Sequence, residues 1–138
     1  MSEAAPAKPL PFPDRDSQPF WEGLRAGELR VQRCGGCGAL RWPPRALCHR
    51  CHSFEHEWIA LSGRGRVVSH VRTHQVFAPA WRDDVPYEVV TVALDEQEDL
   101  QLVGRLEGAR AEGGLPVRAR FVQVDPEHAL LHWEPTQD

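Results

Sequence analysis

The four cysteines are the residues whose type and spacing point most directly to chemistry. They form two Cys-x-x-Cys pairs separated by ten residues, and the first pair has the local sequence Cys-Gly-Gly-Cys-Gly. Tetrahedral zinc takes four such ligands at about 2.3 Å. A short turn, eased here by glycine, brings both sulfurs of a pair to one side. The spacing therefore predicts one structural zinc site of the ribbon type, with these ligands: Cys34, Cys37, Cys48 and Cys51.

Other uses of these cysteines fit the sequence less well. The first 13 residues contain no apolar run of signal-peptide length, which predicts a cytoplasmic protein whose thiols stay reduced. Disulfides are disfavoured there, and two redox pairs at ribbon spacing are less expected than metal. His49 or His52 could replace a sulfur, and iron could occupy the same four sulfurs. Because four cysteine ligands leave no open position for water, we expect the metal to stabilise the fold and not to catalyse.

Residues suited to independent catalysis are sparse. If every cysteine binds metal, no thiol nucleophile remains, and the only lysine, Lys8, lies in a proline-rich stretch. The chain has no Gly-x-Ser-x-Gly, Walker or Gly-x-Gly-x-x-Gly motif. His70 and His74 are about 13 Å apart by strand rise, as are His128 and His132, which is too far to share a metal or a proton. The sequence thus predicts that the chain is no enzyme on its own.

The elements that must position the cysteines fall into four segments. Prolines predict a flexible tail over residues 1–15. An amphipathic helix is expected over 16–28, the zinc ribbon over 29–57 and a barrel over 58–135. No window has the roughly 18 apolar residues needed to span a bilayer.

The predicted helix has defined ends. Asp16 or Ser17 can cap it, Pro19 falls in its first turn, and Gly27 suits its C-terminal end. A helix of about ten residues is marginal alone, so its apolar face must pack against another element.

The predicted barrel consists of five alternating or β-branched runs separated by turn-forming residues. Both an SH3-like barrel and a five-stranded OB-type barrel fit this count, and the count alone does not choose between them. The runs cover residues 66–76, 87–94, 100–106, 117–124 and 129–133.

Charge is distributed unevenly along the chain. Residues 25–50 contain six arginines and one acid, whereas residues 83–138 contain thirteen acids and four arginines. The planar fork of arginine suits phosphate oxygens. An acidic barrel half and a net charge of −4 argue against wrapping a nucleic acid.

Two aromatic clusters lie outside these patterns. Phe20 and Trp21 on the helix are explained by packing or by contact with a partner or an apolar ligand. Phe77 and Trp81 belong to the loop between the first two barrel strands, where OB-type barrels often bind ligands. For that loop, core packing and a partner surface are equally consistent with the sequence.

With helix, ribbon and barrel in this order, residues 17–134 resemble a known family of zinc-ribbon plus OB-fold proteins. This family is associated with thiolases and acyl-CoA metabolism and was originally defined as a domain of unknown function. His49 occupies a position where relatives often have proline. The matching segments are Phe20–Leu24, Gly27–Leu29, the two cysteine pairs, Pro43–Arg45, Leu61–Gly65 and Pro86–Tyr87.

The resemblance implies an OB-type barrel and a non-catalytic subunit. Relatives pair with thiolase-like condensing enzymes, with thiolase-like aldolases of steroid side-chain degradation, or with MaoC-type hydratases, and help to form or bridge an acyl-CoA site. We therefore expect a hetero-oligomer with such an enzyme. Candidate contacts with acyl-CoA or the partner are Phe20, Trp21, Arg33, Arg41, Trp42, Arg45, Phe77 and Trp81. The alternative hypothesis is a nucleic-acid-binding module, since ribbons and OB-folds both occur in such proteins.

Overall fold

The computed structural model describes residues 7–137 of the chain. These residues form one helix, eight strands and one 3-10 turn, and the predicted fold class, mainly β with a ribbon and an OB barrel, is confirmed. The elements are α1 Gln18–Ala26, β1 Leu29–Cys34, β2 Leu40–Arg41, β3 His56–Leu61, β4 Arg64–Thr73, the 3-10 turn Pro79–Trp81, β5 Tyr87–Leu94, β6 Gln101–Leu106, β7 Pro116–Gln123 and β8 Ala129–Pro135.

The helix α1, Gln18–Ala26, lies within the predicted segment 16–28, and Gly27 follows its last residue. Gly27 adopts φ 78° after the last turn, and the N–H of Glu28 donates to the carbonyl of Gly23 at 2.8 Å. Ser17 occupies the N-cap position, but its side chain makes no cap hydrogen bond. The N–H of Ser17 donates to Oδ1 of Asp14 at 2.7 Å, which closes a turn immediately before the helix.

The ribbon is built on a three-stranded antiparallel sheet in the order β2-β1-β3. Strand β3 pairs with β1 along its whole length, from Leu29 opposite Leu61 to Cys34 opposite His56. The boundary predicted between residues 57 and 58 therefore falls inside β3. The sheet itself extends to Leu61, and the exact division between ribbon and barrel stays a prediction.

The remaining five strands close into a barrel in the order β4-β5-β6-β8-β7. Strands β6 and β8 run parallel, and the other neighbours are antiparallel. A bulge between Val67 and Ser69 bends β4. At the start of β4, a Cβ on Gly65 would lie 2.3 Å from the carbonyl oxygen of Ala93 in β5, so the close approach of the two strands requires glycine here.

Helix, ribbon and barrel share one hydrophobic core. Phe20 and Leu24 of α1 and Val31 of β1 belong to the same cluster as Val90 and Trp133 of the barrel. All five are at most 4% exposed. The apolar face of α1 is thus packed against β1 on one side and β7 and β8 on the other, which stabilises a helix too short to persist alone.

The predicted tail over 1–15 lies partly outside the described residues. Residues 7–13 form no regular element. Within them, Nζ of Lys8 lies 2.6 Å from Oδ2 of Asp84 and 5.0 Å from the ring centre of Trp81. This end of the described chain therefore contacts the loop between β4 and β5. No helix in residues 7–137 is long and apolar enough to cross a membrane.

Candidate metal centre and aromatic groove

The structure brings the four cysteines together. Their sulfur atoms all lie within 4.8 Å of one another, with 3.4 Å between Cys34 and Cys51 and 3.7 Å between Cys37 and Cys48. Four sulfurs at 2.3 Å from one zinc would be about 3.8 Å apart, so the set fits a tetrahedral ion. Cys34 and Cys48 are buried, and Cys37 and Cys51 are exposed. A metal bound by these sulfurs would join the two cysteine-bearing turns of the ribbon.

Each pair holds its first sulfur with backbone N–H groups of its own turn. The N–H of Gly36 donates to Sγ of Cys34 at 3.3 Å, and the N–H of Arg50 donates to Sγ of Cys48 at 3.4 Å. These turns are the structural reason for the Cys-x-x-Cys spacing, because they point donors at a negatively charged sulfur.

The thiols of Cys34 and Cys51 differ in their pKa values. The N–H of Cys37, followed by that of Gly36, lowers the pKa of Cys34 to about 6. At Cys51 the N–H of Ser53 lowers the pKa, but the neighbouring sulfur of Cys34 and partial desolvation by the surrounding chain outweigh it and raise the pKa to about 12. Four adjacent thiolates need a cation among them, and a dication supplies it.

Of the ribbon arginines predicted as ligand contacts, Arg41 and Arg45 line one cavity of about 230 Å³ together with Trp42, and Arg33 lies apart from them. Arg33 is paired with Glu57 at 2.5 Å. Arg41 is only 4% exposed, and its guanidinium donates to Gln32 at 2.7 Å and to the carbonyl of Arg45 at 2.9 Å. Arg41 therefore holds the loop that leads to the second cysteine pair and exposes little of its own side chain, and its role as a ligand contact stays a prediction. The side chain of Arg45 is exposed.

Three of the predicted aromatic residues do meet. The rings of Phe20 and Trp42 have centres 4.0 Å apart, and those of Phe20 and Trp21 are 5.2 Å apart in an edge-to-face arrangement. Together they form one wall of a cavity of about 440 Å³ between α1, the ribbon loop and strands β6 and β8. We call this cavity the aromatic groove; it is lined by Phe20, Trp21, Leu24, Trp42, Pro43, Gln101, Leu102, Val103, Arg105, Leu130, Leu131 and His132.

Phe77 and Trp81 lie elsewhere, in the loop between β4 and β5. Phe77 is 69% exposed. The ring of Trp81 packs near Tyr87, with centres 5.8 Å apart, and under Lys8. Neither residue lines the aromatic groove, so the predicted aromatic contacts lie at two separate places.

Arg105 and His132 are groove residues that sequence reasoning did not select. They are opposite each other in the parallel pairing of β6 with β8, which no local pattern predicts. Arg105 also lines a second, polar cavity of about 540 Å³ together with Arg72 and Arg110. Its NH1 lies 2.7 Å from Asp84, and its guanidinium lies 5.3 Å from the ring centre of Tyr87. Arg105 therefore lines both the aromatic groove and the polar cavity, which contains three arginines.

A four-cysteine ribbon packed through a short helix onto an OB barrel defines the class of this protein. Two family models match successive parts of the chain: one described as "ChsH2, rubredoxin-like zinc ribbon domain" over residues 21–57, and one described as "ChsH2, C-terminal OB-fold domain" over residues 58–122.

Solved structures agree with these matches. A chain of the "Ltp2-ChsH2(DUF35) aldolase" is 34% identical, with a TM-score of 0.81 over 91% of this chain and 98% of the other. A DUF35 protein of unknown function from Sulfolobus solfataricus is 15% identical, with a TM-score of 0.60 over 88% and 86%, and supports the fold alone. The chain belongs to the ChsH2 (DUF35) family of zinc-ribbon plus OB-fold proteins.

Curated relatives connect the family with acyl-CoA enzymes. The 3-oxo-4,17-pregnadiene-20-carboxyl-CoA hydratase alpha subunit of Mycobacterium tuberculosis is 36% identical over 130 residues, which are 92% of this chain. A probable enoyl-CoA hydratase alpha subunit of Thermomonospora curvata is 34% identical over 131 residues, 93% of this chain. This chain spans 40% of the length of each of the two. A DUF35 domain-containing scaffold protein of Methanocaldococcus jannaschii is 29% identical over 67% of this chain and 66% of its own length.

Proposed function

We propose that this chain is a non-catalytic accessory subunit that binds a thiolase-like or hydratase enzyme and helps to form its acyl-CoA site. The observation that carries the proposal is the match to the aldolase chain, which extends over 98% of that chain's length. The two hydratase subunits support it, because the same module forms part of them.

In this proposal the four cysteines hold a structural zinc ion. All four ligand positions are taken by sulfur, so the ion has no open position for a reacting water. Its role is to fix the loop that carries Trp42 against Phe20 of α1. The metal thus shapes one wall of the aromatic groove and takes no part in chemistry.

The absence of a catalytic role rests on how the reactive residues are engaged. Each cysteine belongs to the metal set, and Lys8 is paired with Asp84. A charged, ion-paired lysine is a poor nucleophile, and thiolates bound to zinc are not free to attack. The partner enzyme would therefore supply the reacting groups.

The two adjoining cavities suit the two ends of an acyl-CoA. The aromatic groove is lined mainly by apolar side chains and would take the acyl part. The name of the mycobacterial relative gives the acyl group of that protein's substrate as 3-oxo-4,17-pregnadiene-20-carboxyl, a steroid carboxylic acid. We extend this to lipid or steroid side-chain metabolism for the present chain. The polar cavity next to it is lined by Arg72, Arg105 and Arg110, whose guanidinium groups suit phosphate oxygens, and also by Glu88 and Glu107. A phosphate there would compete with Glu88 for Arg72 and with Asp84 for Arg105.

Affinity purification of the tagged full chain from its source cells tests the proposal. We expect a thiolase-like or hydratase protein to co-purify with the chain in a fixed ratio. The Trp21→Ala variant alters the aromatic groove, and it recovers less of the partner if the partner contacts the groove. A matched control is Phe54→Ala, since Phe54 is 74% exposed on the ribbon and does not line the groove. Recovery of the chain alone, without any acyl-CoA enzyme, would contradict the proposal.

A further inference from the structure

Strand β4 separates from its neighbour β7 part of the way along its length. It pairs with β5 as far as Thr73 but with β7 only as far as Arg66. Val67 makes the last backbone contacts on the β7 side, because its N–H and its carbonyl both bond to the segment just before β7. In the part of the chain that the structure describes, residues 68–73 therefore have a paired strand on the β5 side alone. We call residues 68–73 the β4 edge.

The β4 edge carries backbone groups that suit a further strand. Alternate residues of an edge strand direct their N–H and C=O groups away from the strand with which they pair. Many proteins protect such an edge with proline, with lysine or with a covering element. The β4 edge contains no proline or lysine, and its residues are exposed apart from the half-buried Thr73. Its backbone is thus open to another chain.

The two faces of the β4 edge differ in chemistry. Val71 lies opposite Val89 and is 60% exposed, so it gives one face an apolar contact. His70 and Arg72 lie on the opposite face, because successive side chains of a strand point to opposite sides. A strand added at the β4 edge would place its own side chains beside these on both faces. The fitting strand therefore alternates apolar residues with residues that pair with basic groups.

The charge around the β4 edge favours acidic residues in that strand. Residues 58–82 contain four arginines, two histidines and no aspartate or glutamate, although the whole chain has a net charge of −4. Among the described residues, Arg72 has one ion-pair partner, Glu88, at 3.9 Å, and its side chain is 40% exposed. A carboxylate on an added strand would be complementary to this basic stretch.

A second copy of this chain is a poorer occupant of the β4 edge. Pairing two such edges would bring the basic residues of one copy, His70 and Arg72 among them, close to those of the other. Like charges on neighbouring strands destabilise a sheet. The charge thus distinguishes an acidic partner from a copy of the same chain.

We propose that the β4 edge binds an extended segment of a partner protein, in which acidic and apolar residues alternate, as an additional strand of the sheet. Backbone hydrogen bonds provide the affinity of such a contact, and the alternating side chains provide its selectivity. The inference rests on the proposed function for the identity of the partner, a thiolase-like or hydratase enzyme. No residue of β4 lines the aromatic groove, whereas Arg72 lines the polar cavity. The bound segment would therefore adjoin the polar cavity and leave the groove open.

Amide NMR spectra of the full chain test the inference with defined probes. The first probe is a short peptide of alternating glutamate and valine, and the second has lysine in place of glutamate. We expect the glutamate peptide to shift the amide signals of residues 68–73 and to bind roughly 10-fold more tightly than the lysine peptide. A glutamate peptide with a methylated backbone should not bind, because it lacks the N–H donors of a strand. Equal affinities, no binding, or shifts confined to other residues would overturn the inference.

Variants of the β4 edge test its side chains. Val71→Glu places an acidic group on the edge, and we expect it to weaken binding of the glutamate peptide roughly 10-fold. Val124→Glu is the matched control, since Val124 is also an exposed valine and lies outside the β4 edge. If Val71→Glu does not fold, Arg72→Glu decides. Unchanged affinity in a folded edge variant would contradict the inference.

Sedimentation of the free chain tests the second copy as the occupant. We expect a monomer, because two basic edges repel each other. A dimer that Val71→Glu dissociates would overturn the assignment to a different protein.

The outcome is separable from that of the proposed function. In the complex with the co-purified partner, we expect amides of residues 68–73 to exchange more slowly with solvent than in the free chain. If the partner co-purifies equally with Val71→Glu and leaves these amides unprotected, the accessory role stands and the edge assignment fails. If no partner co-purifies while the glutamate peptide binds at the β4 edge, the accessory role fails and the edge assignment stands.

Discussion

The side-chain amide of Gln97 pairs with both backbone groups of Leu40. Its Oε1 accepts from the N–H of Leu40 at 2.9 Å, and its Nε2 donates to the carbonyl at 2.7 Å. Gln97 lies in the turn between β5 and β6, and Leu40 opens the short strand β2, so the amide extends the ribbon sheet as a further strand would. Nearby, Arg50 of the ribbon is paired with Asp99 of the same turn at 2.5 Å. These contacts fix the ribbon on the barrel.

Gln97→Ala should loosen this connection. It leaves the partly buried N–H and C=O of Leu40 without partners, at a cost of about 1–3 kcal/mol in the free energy of unfolding. Urea unfolding and hydrogen exchange at the amide of Leu40 measure the two effects. Glu98→Ala, at the exposed neighbouring position, is the matched control and should change neither. Equal stability of the two variants would show that the Gln97 contact contributes nothing.

Cys34→Ser should abolish metal binding and unfold the ribbon. Structural zinc contributes about 10–16 kcal/mol in zinc-finger peptides, which is comparable with the whole stability of a domain. Zinc content by atomic emission and the loss of partner binding are the readouts. His49→Ala should retain the metal, because the metal-binding group in the described residues consists of the four cysteines. Full zinc content in Cys34→Ser would contradict the assignment of the four cysteines as ligands. Iron in place of zinc in the unmodified chain would change the identity of the metal but not its ligands.

Gly104→Ala should destabilise the barrel. A Cβ at this position would lie 2.6 Å from the carbonyl oxygen of Leu131 and 2.9 Å from the indole of Trp133. Forcing these groups apart should cost about 1–3 kcal/mol in the free energy of unfolding. Gly113→Ala is the control, because a Cβ there meets nothing within 4 Å and the backbone needs no positive φ. A Tm for Gly104→Ala as high as that of the control would refute the predicted clash.

The stability of the chain should fall in mild acid because of His132. Burial lowers the pKa of His132 below its ordinary value of 6.5, so the folded state binds fewer protons than the unfolded state. The free energy of unfolding is then greatest above 6.5 and decreases as the pH falls from 6.5 towards the folded-state pKa. The carboxylates of Asp84 and Asp99 affect the stability only at lower pH. Lys8 and Arg105 hold the pKa of Asp84 below 3.8, and Arg50 holds the pKa of Asp99 below 3.8.

Urea unfolding at about pH 7.5 and about pH 5.5 measures this contribution. His132→Asn, which does not titrate, should lose less stability between the two pH values than the unmodified chain. Both proteins keep the same cysteines, so protonation of the metal ligands affects them alike. Identical pH dependence in the two proteins would show that His132 is not buried as the structure has it.

Much of the fold follows from local patterns. The cysteine spacing predicts the ribbon because two short turns need only nearby residues to place their sulfurs. Gly27 marks the end of α1 because the left-handed conformation there favours glycine. The five barrel strands follow from alternation, and their order in the closed barrel agrees with the OB-type topology that the family resemblance implies.

The groove could be predicted only in part. Phe20 and Trp21 are neighbours on α1, and the amphipathic pattern of the helix predicts that they pack on or beside its apolar face. His132 faces Arg105 because β8 lies parallel to β6, a pairing set by the barrel as a whole. Gln97 and Leu40 are 57 residues apart, and nothing near either residue in the sequence predicts their contact. The burial of Arg41 was not predicted, because the sequence gives charge but not burial.

Reconstitution with the co-purified partner tests the accessory role most directly. The partner's turnover of its acyl-CoA substrate is measured with and without an equimolar amount of this chain, and with the Cys34→Ser variant as a control for the intact ribbon. The account predicts turnover with the chain, little or none without it, and none for this chain alone. Equal turnover in its absence, or turnover by this chain alone, would contradict the claim that it is a non-catalytic subunit of an acyl-CoA enzyme.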